Sequence, residues 1–238
     1  RFTDADIDFL RSQGHFCEEF LDYLRDFKFC CDVWAIPEGT PVFPHEPIVT
    51  VRGPIIQAQF IETMLLLIIN HQSLIATKAN RIVRAADRRD VVEFGARRAH
   101  GADGALYGAR AAYIGGCVGS SLTMAQQRFG IPACGTMAHS WIQAFDSELE
   151  AFRAYASTYP NDCVLLVDTY NTLHSGVPNA IKAFDDVLKP MGVRPKAIRI
   201  DSGDITYLSK KARRMLDEGG YPDCHIMVTN SLDEYLIR

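Results

Sequence analysis

The pattern of apolar and polar residues changes near residue 90. Before that point, apolar residues recur at helical spacing in "TDADIDFLRSQG" and "CEEFLDYLRDF". Thr3, followed three residues later by Asp6, is typical of a capped helix N-terminus. A long apolar stretch from about Ile55 to Ala86 predicts a helix or a helix pair. We therefore expect residues 1–89 to form an N-terminal helical and β domain.

One segment of this first region has a strand pattern instead. The stretch "KFCCDVWAIPEGTPVFPHEPIVTVRGP" alternates, is rich in β-branched and aromatic residues, and is interrupted by proline and glycine. The turn residues Pro37-Glu38-Gly39-Thr40 lie in its middle. The pattern predicts a hairpin or two edge strands around that turn.

From Asp90 onward, short apolar runs alternate with helical patterns, as in parallel βα units. The runs are "VVEFG" (91–95), "AAYIGG" (111–116), "IPACGT" (131–136), "CVLLVDT" (163–169), "KAIRIDSGD" (196–204) and "CHIMVTN" (224–230). A doubly wound sheet and a (β/α) barrel both fit this pattern. Polar residues at the ends of several runs favour the barrel, whose sites lie at the C-terminal ends of its strands. Because a complete barrel usually needs roughly 250 residues, we expect residues 90–238 to form an incomplete barrel of about six βα units.

Composition limits the function classes. The net charge of −4 comes without a dominant basic stripe, which argues against a nucleic-acid partner. The seven cysteines are irregularly spaced and include no C-x-x-C, so we expect reduced, mostly buried thiols. No signal peptide is evident, and the run "MLLLII" is too short to span a bilayer, so we predict a soluble, cytoplasmic protein without a membrane partner. The chain starts with Arg1, and we expect both ends to belong to something longer.

The run "KAIRIDSGD" places a charged residue inside an apolar strand. Arg199 alternates with Ile198 and Ile200, and a buried guanidinium needs an anionic partner. That partner is either a carboxylate of the protein, Asp201 or Asp168, or a carboxylate or phosphate of a ligand. Asp201 could also hold ribose hydroxyls or a magnesium ion, and helix capping alone could explain the Ser and Asp that follow it.

Three other motifs carry candidate chemistry. In "VLLVDTYNTLHSG", Asp168 is either a ribose or metal ligand or a partner for a basic side chain. In "EFGARRAHG", Arg97 and Arg98 follow a strand and suit phosphate contact, or they are solvated. In "GTMAHSW", His139 opens a predicted helix and is either structural or a nucleophile. A helix N-terminus disfavours imidazolium and favours an anion, so a neutral imidazole there could accept a phosphoryl group.

Together, "EFGARRAHG", "GTMAHSW", "VDTYNT" and "IRIDSGD", in this order, resemble nicotinate phosphoribosyltransferase. The earlier "FPHEPIVTVRGP" and "ETMLLLIINHQSLIATKANR" resemble its N-terminal half, so the resemblance covers essentially the whole chain. It implies an α/β protein, with an irregular (β/α) barrel of the type II phosphoribosyltransferase kind and an N-terminal α+β domain. It also implies a homodimer.

The resemblance implies an ATP-assisted, ligase-type reaction. Nicotinate and phosphoribosyl diphosphate would become nicotinate mononucleotide and diphosphate for NAD biosynthesis, with Mg²⁺ helping the diphosphate to leave. The family's phosphohistidine corresponds to His139 and its nicotinate-binding positions to Thr136 and Arg199. We expect catalytic roles for His139 and Asp201, and the residues expected to bind substrate are Thr136, Arg199, Arg97, Ser140 and Asp168. No metal ligands are assigned.

This sequence also departs from the family. Members begin upstream with an Asp-Leu-Tyr segment, whose tyrosine packs on the pyridine ring across the dimer, and continue into a Gly-rich phosphate-binding strand. Neither is present here, which agrees with a shortfall of C-terminal barrel units. Two alternatives stay open: a nicotinamide-specific relative, and an inactive fragment or paralogue that only binds or dimerises.

Overall fold

The computed structural model describes residues 2–237. The chain divides into two compact units, of which the first ends at Ala76 and the second begins at Thr77. This division falls within helix α3 (Ile55–Ala85). The predicted domain boundary at 89–90 lies a few residues beyond the end of that helix.

The first unit begins with two short helices, α1 (Asp4–Ser12) and α2 (Glu18–Arg25). The capping box predicted from the sequence is present, because the Thr3 hydroxyl accepts from the Asp6 N–H at 3.2 Å and the Asp6 carboxylate accepts from the Thr3 N–H at 2.7 Å. The apolar faces of the two helices pack together around a small buried cluster of Ile7, Leu21 and Leu24.

The predicted hairpin is confirmed. Strands β1 (Asp32–Ala35) and β2 (Val49–Arg52) pair antiparallel, with Val33 opposite Val51. The Thr40 N–H donates to the Pro37 carbonyl at 3.2 Å, so the predicted turn lies in the loop between the two strands.

The long apolar helix is also confirmed, as α3. By length and composition alone, α3 is the one helix of the described residues that could cross a membrane, and its apolar window is not buried inside the structure. The run "MLLLII" has only six residues, but the apolar helix that contains it has 31. One such helix is a weak indication, so the absence of a membrane partner stays a prediction.

The second unit alternates strands and helices, as the sequence predicts. Its strands are β3 (Val92–Glu93), β4 (Gly119–Ser120), β5 (Val164–Leu166), β6 (Ala197–Ile200) and β7 (His225–Val228). Its α-helices are α4 (Ala102–Ile114), α5 (Thr123–Phe129), α6 (His139–Ile142), α7 (Glu148–Thr158), α8 (Val177–Ala183) and α9 (Ile205–Glu218). Single π-helical turns flank α8 at Thr172–Gly176 and Phe184–Leu188.

All strand pairings of the second unit are parallel. Strand β3 pairs with β4, and a bridge from Ser120 to Ala133 extends that sheet. The other sheet has the order β5-β6-β7, with Leu166 opposite Arg199 and Arg199 opposite Met227. Because the strands are parallel, their C-terminal ends lie at the same edge, where the polar residues of the predicted site follow them.

The core of the second unit lies between the β5-β6-β7 sheet and the helices that cover it. Its largest fully buried side chains include Phe152, Phe184, Leu165, Leu166 and Ile198. Strand β5 is apolar and buried throughout, as expected for a covered parallel sheet, whereas β6 carries Arg199.

One predicted strand is wrong. Residues 111–116 end helix α4, and the strand lies further on, at Gly119–Ser120. The run "AAYIGG" is apolar because it belongs to a helix that buries Ala109, Ala111 and Ala112, and alanine is the strongest helix former. The run at 131–136 contributes only the bridge at Ala133.

The cysteines are unpaired, as predicted, but they are not mostly buried. Cys117, Cys163 and Cys224 are buried, whereas Cys17 and Cys30 are exposed. Burial raises the pKa of the Cys163 thiol to about 12, which keeps it protonated and unreactive.

A close backbone contact fixes the segment after β5. Gly176 ends the π-helical turn, and a Cβ atom at this position would lie 1.7 Å from the Val167 carbonyl oxygen and 2.6 Å from its carbon. Both atoms belong to the backbone, which cannot move aside like a flexible side chain. Only glycine therefore allows this turn to pack against the end of β5.

We predict that Gly176→Ala lowers the free energy of unfolding by about 3 kcal/mol or more, because the added methyl group overlaps the backbone of β5. Urea unfolding followed by circular dichroism measures this. Gly135→Ala is the matched control, since its Cβ would meet nothing within 4 Å, and it should cost less than about 1 kcal/mol. Equal midpoints for the two variants would contradict the prediction.

Candidate active site

The predicted site residues that the structure joins lie at the C-terminal ends of neighbouring strands. Asp168 follows β5, Arg199 and Asp201 lie at the end of β6, and Thr136 and His139 lie in the segment after the Ala133 bridge. Hydrogen bonds and ion pairs connect these five residues, with the backbone N–H of Asp201 linking the His139–Asp168 pair to the other three. The parallel topology brings together residues that are up to 65 positions apart in the sequence.

Asp168 is the most buried carboxylate of this cluster, with a side chain only 2% exposed. Its Oδ1 atom faces His139 Nε2 at 3.2 Å. Its Oδ2 atom accepts from the Asp201 N–H at 3.0 Å and from the Ser202 hydroxyl at 2.6 Å. Both oxygens are therefore engaged by protein groups, as a buried charge requires.

His139 is the first residue of helix α6, as the sequence predicts. That helix has only four residues, so its dipole contributes little to the argument made from the helix N-terminus. The contact with the Asp168 carboxylate instead determines which tautomer the neutral ring adopts. Because a carboxylate accepts, Nε2 carries a proton and donates, which leaves Nδ1 with a free lone pair in the neutral tautomer. The side chain is 41% exposed, so a ligand can reach it.

Arg199 is held on several sides. Its Nε atom donates to the Thr229 hydroxyl at 3.1 Å and its Nη1 atom to the Thr136 hydroxyl at 3.3 Å. Its Nη2 atom lies 3.1 Å from Asp201 Oδ1. The Phe94 ring lies against the guanidinium, with its centroid 5.5 Å from Cζ. Of the alternatives left open by the sequence, the carboxylate partner is therefore Asp201.

Asp201 is ionised at neutral pH. Burial acts to raise the pKa of its carboxyl group, but the hydrogen bond from Thr229 and the charge of Arg199 outweigh burial, so the pKa lies below its ordinary value. Asp201 Oδ1 accepts from the Thr229 hydroxyl. This carboxylate thus carries a full negative charge beside the guanidinium.

Helix capping explains Asp204 but not Ser202. Asp204 is the N-cap of α9, where its Oδ1 accepts from the Tyr207 N–H at 2.9 Å. Ser202 donates to Asp168 instead of capping. The loop after β6 is therefore tied to the end of β5 by a side-chain bond.

Two predicted site residues lie outside this hydrogen-bonded cluster. Arg97 is exposed in the 3₁₀ turn Ala96–Arg98, three residues after Phe94, and makes no hydrogen bond or ion pair with the described residues. Ser140 is exposed next to His139, and its hydroxyl has no bond within the described part of the chain. Their substrate-binding roles stay predictions.

The structure adds residues that the sequence did not single out. Phe94 and Ser202 contact Arg199 and Asp168 respectively. Thr229 joins Arg199 to Asp201, although from the sequence it is only one of several polar residues at strand ends. Its position at the end of β7, beside β6, is the signal that could have identified it.

The structure assigns no ligands to a metal ion. Within residues 2–237, no group of three or more His, Cys, Asp and Glu side chains is arranged to hold one. Asp168 and Asp201, the candidates from the sequence, already have protein partners. The role of Mg²⁺ stays an expectation from the resemblance.

Two known protein domains match parts of this chain. Residues 1–70 match the nicotinate phosphoribosyltransferase (NAPRTase) N-terminal domain, and residues 75–189 match the quinolinate phosphoribosyl transferase C-terminal domain. The nicotinate phosphoribosyltransferase pncB2 of Mycobacterium tuberculosis is 49% identical over 236 residues, which are 98% of this chain and 50% of that protein. The nicotinate phosphoribosyltransferase of Bacillus subtilis is 48% identical over 240 residues, covering 100% of this chain and 48% of that protein.

Solved structures are similar as well. Human nicotinic acid phosphoribosyltransferase covers the whole chain with a TM-score of 0.90 and 30% identity, and the match spans 59% of the human chain. The nicotinate-nucleotide pyrophosphorylase from Pyrococcus furiosus has a TM-score of 0.77 and 31% identity, over 87% of this chain and 53% of its own. These neighbours confirm the predicted α/β fold with an incomplete barrel. The chain spans about half the length of the curated relatives it matches. On its sequence and its fold, the chain belongs to the nicotinate phosphoribosyltransferase family.

Proposed function

We propose that this protein transfers the phosphoribosyl group of phosphoribosyl diphosphate to nicotinate, giving nicotinate mononucleotide and diphosphate for NAD biosynthesis. We propose further that ATP assists the reaction by phosphorylating His139. The names of the relatives support the first part. The geometry around Arg199 and His139 supports the assignment of roles within it.

The main observation behind the proposal is that Arg199 has N–H donors without a partner among the described residues. The guanidinium has five N–H donors, and its partners in the structure are two neutral hydroxyls and one carboxylate. Donors are therefore left for an anion, and an arginine fork matches the two oxygens of a carboxylate. The Phe94 ring beside it provides a flat apolar surface for an aromatic acid. Nicotinate offers both a carboxylate and an aromatic ring.

In the transfer step, the pyridine nitrogen of nicotinate attacks C1 of the ribose while the bond from C1 to the diphosphate oxygen breaks. The electron pair of that bond leaves with the diphosphate. Positive charge develops at C1, and the ionised Asp201 carboxylate is the negative group that the site offers to stabilise it. Arg199 fixes the nicotinate carboxylate and so orients the ring nitrogen.

In the ATP-dependent step, Nδ1 of His139 attacks the terminal phosphorus of ATP. A P–N bond forms, the P–O bond to ADP breaks, and ADP leaves with the electron pair. Asp168 acts as a positioning residue, because its bond to Nε2 fixes the tautomer and stabilises the positive charge that the ring gains.

The remaining expectations from the resemblance are proposals of the same kind. Arg97 is exposed and free of protein partners among the described residues, which suits contact with a phosphate group of a substrate. Mg²⁺ would accompany the diphosphate, because this cation usually binds phosphate oxygens together with one or two carboxylates. The homodimer and the cytoplasmic location stay predictions.

A nicotinamide-specific relative is the alternative with a distinct chemistry. A carboxylate accepts two hydrogen bonds from one arginine fork, whereas an amide offers one oxygen and two donors. The curated relatives are named for nicotinate, which favours the acid. An inactive paralogue is the other alternative, and it is decided by the measurements below.

We expect Arg199→Lys to raise KM for nicotinate about 10- to 100-fold, because lysine keeps the charge but loses the planar fork. Steady-state kinetics with nicotinate and nicotinamide measure this. Arg194→Lys is the control. Arg194 lies just before the N-terminal end of β6, at the opposite end from the site, and pairs with Asp223. An unchanged KM in Arg199→Lys would exclude the assigned role.

Incubation with ATP should add the mass of one phosphoryl group to the protein, and His139→Ala should abolish the gain. The label should be lost in acid, as expected for phosphohistidine, and intact-mass spectrometry measures both. His174→Ala is the matched control, because His174 is an exposed histidine outside the cluster. A mass gain that persists in His139→Ala would refute the phosphohistidine at this position.

A further inference from the structure

Thr229 occupies an unusual position between the two charged groups of the site. Its hydroxyl accepts from Arg199 Nε at 3.1 Å and donates to Asp201 Oδ1. We propose that Thr229 is a positioning residue that fixes Arg199 for end-on binding of the substrate carboxylate and so favours an acid over an amide. This inference rests on the function proposed above and adds a determinant of specificity to it.

Arg199 has N–H donors that its protein partners do not use. Thr229 takes the single Nε–H, and Thr136 takes one of the two Nη1 hydrogens. Asp201 faces Nη2. At least one N–H on each terminal nitrogen is then left without a partner in the described part of the chain. In the proposed geometry these two N–H groups form an end-on fork, which matches the two oxygens of one carboxylate.

Without the Thr229 hydroxyl, Asp201 would pair with Arg199 in a different geometry. An aspartate beside an arginine favours two parallel bonds, and the Nε and Nη2 hydrogens offer such a side-on pair. In the structure, Thr229 occupies Nε and also donates to the Asp201 oxygen. The hydroxyl therefore keeps the aspartate from closing a side-on pair, which would turn the guanidinium toward Asp201.

The position between Arg199 and Asp201 requires a hydroxyl, and the backbone of Thr229 holds it there. Only a group that accepts and donates at the same time can lie between an N–H and a carboxylate oxygen, and threonine and serine hydroxyls do this. The backbone of Thr229 is fixed by its N–H, which donates to the Ile200 carbonyl at 3.0 Å. The β-branched side chain also has restricted rotamers. The position of the hydroxyl relative to β6 is thus fixed.

The consequence concerns the choice between substrates. The two oxygens of nicotinate would accept from both hydrogens of the end-on fork, whereas nicotinamide would satisfy one and place an N–H against the other. A guanidinium turned toward Asp201 would discriminate less between the two substrates, because it would present the end-on fork less completely. Loss of the Thr229 hydroxyl should therefore weaken binding of the acid more than binding of the amide.

The experiment compares wild type with Thr229→Val, which removes the hydroxyl at nearly constant shape, and with Thr229→Ser, which keeps it. Calorimetric titration gives Kd for nicotinate and nicotinamide, kinetics give KM and kcat for nicotinate, and crystal structures give the Arg199–Asp201 geometry. Thr206→Val, on the exposed face of α9, is the control for a generic Thr→Val change.

We expect Thr229→Val to raise Kd and KM for nicotinate about tenfold, with a smaller change in kcat and a lower preference for the acid. Its crystal structure should show a side-on Arg199–Asp201 pair. Thr229→Ser should stay close to wild type. Wild-type Kd values in Thr229→Val, or an unmoved guanidinium, would overturn the role of Thr229 and leave the proposed function standing. Failure of the wild type to bind nicotinate would instead overturn the proposed function, and this inference with it.

Discussion

The site depends on a guanidinium at the end of a buried parallel strand. Arg199 is opposite Leu166 on one side and Met227 on the other, and its side chain is only 13% exposed. A charge in this position requires a partner, and Asp201 and two hydroxyls provide it without using all of its donors. The site therefore compensates the buried charge of Arg199 and still leaves some of its N–H donors without a partner within residues 2–237. That combination makes a structural ion pair into a candidate anion site.

Asp168 gives the site its rigidity. One carboxylate holds the loop after β6, through the Asp201 N–H and the Ser202 hydroxyl, and the ring of His139. The segment that follows is fixed in turn, since Gly176 packs directly on the backbone of Val167. The end of β5 is thus restrained on both of its sides. A side chain restrained in this way keeps its orientation when a ligand enters, which is what positioning requires.

Much of this arrangement could be predicted from the sequence, because burial patterns are local. Polar residues after apolar runs indicated Thr136, Asp168, Arg199 and Asp201, and parallel pairing brings strand ends together whatever their separation in the chain. The run at 111–116 was misassigned because periodicity does not distinguish a short buried strand from the end of a buried alanine-rich helix. The partner of Arg199 and the role of Thr229 depend on side-chain directions at the strand ends. Those directions follow from three-dimensional packing, which no local pattern specifies.

The balance of charge in the cluster bears on where the phosphate groups of a substrate would lie. Within the cluster, the positive charge of Arg199 lies beside the ionised Asp201 carboxylate, so these two charges offset each other. The exposed Arg97 and Arg98 follow Phe94, whose ring contacts Arg199, and so supply positive charge at the margin of the site. Positive charge that suits a phosphate group is therefore found in the turn after β3 and not at the Arg199–Asp201 ion pair.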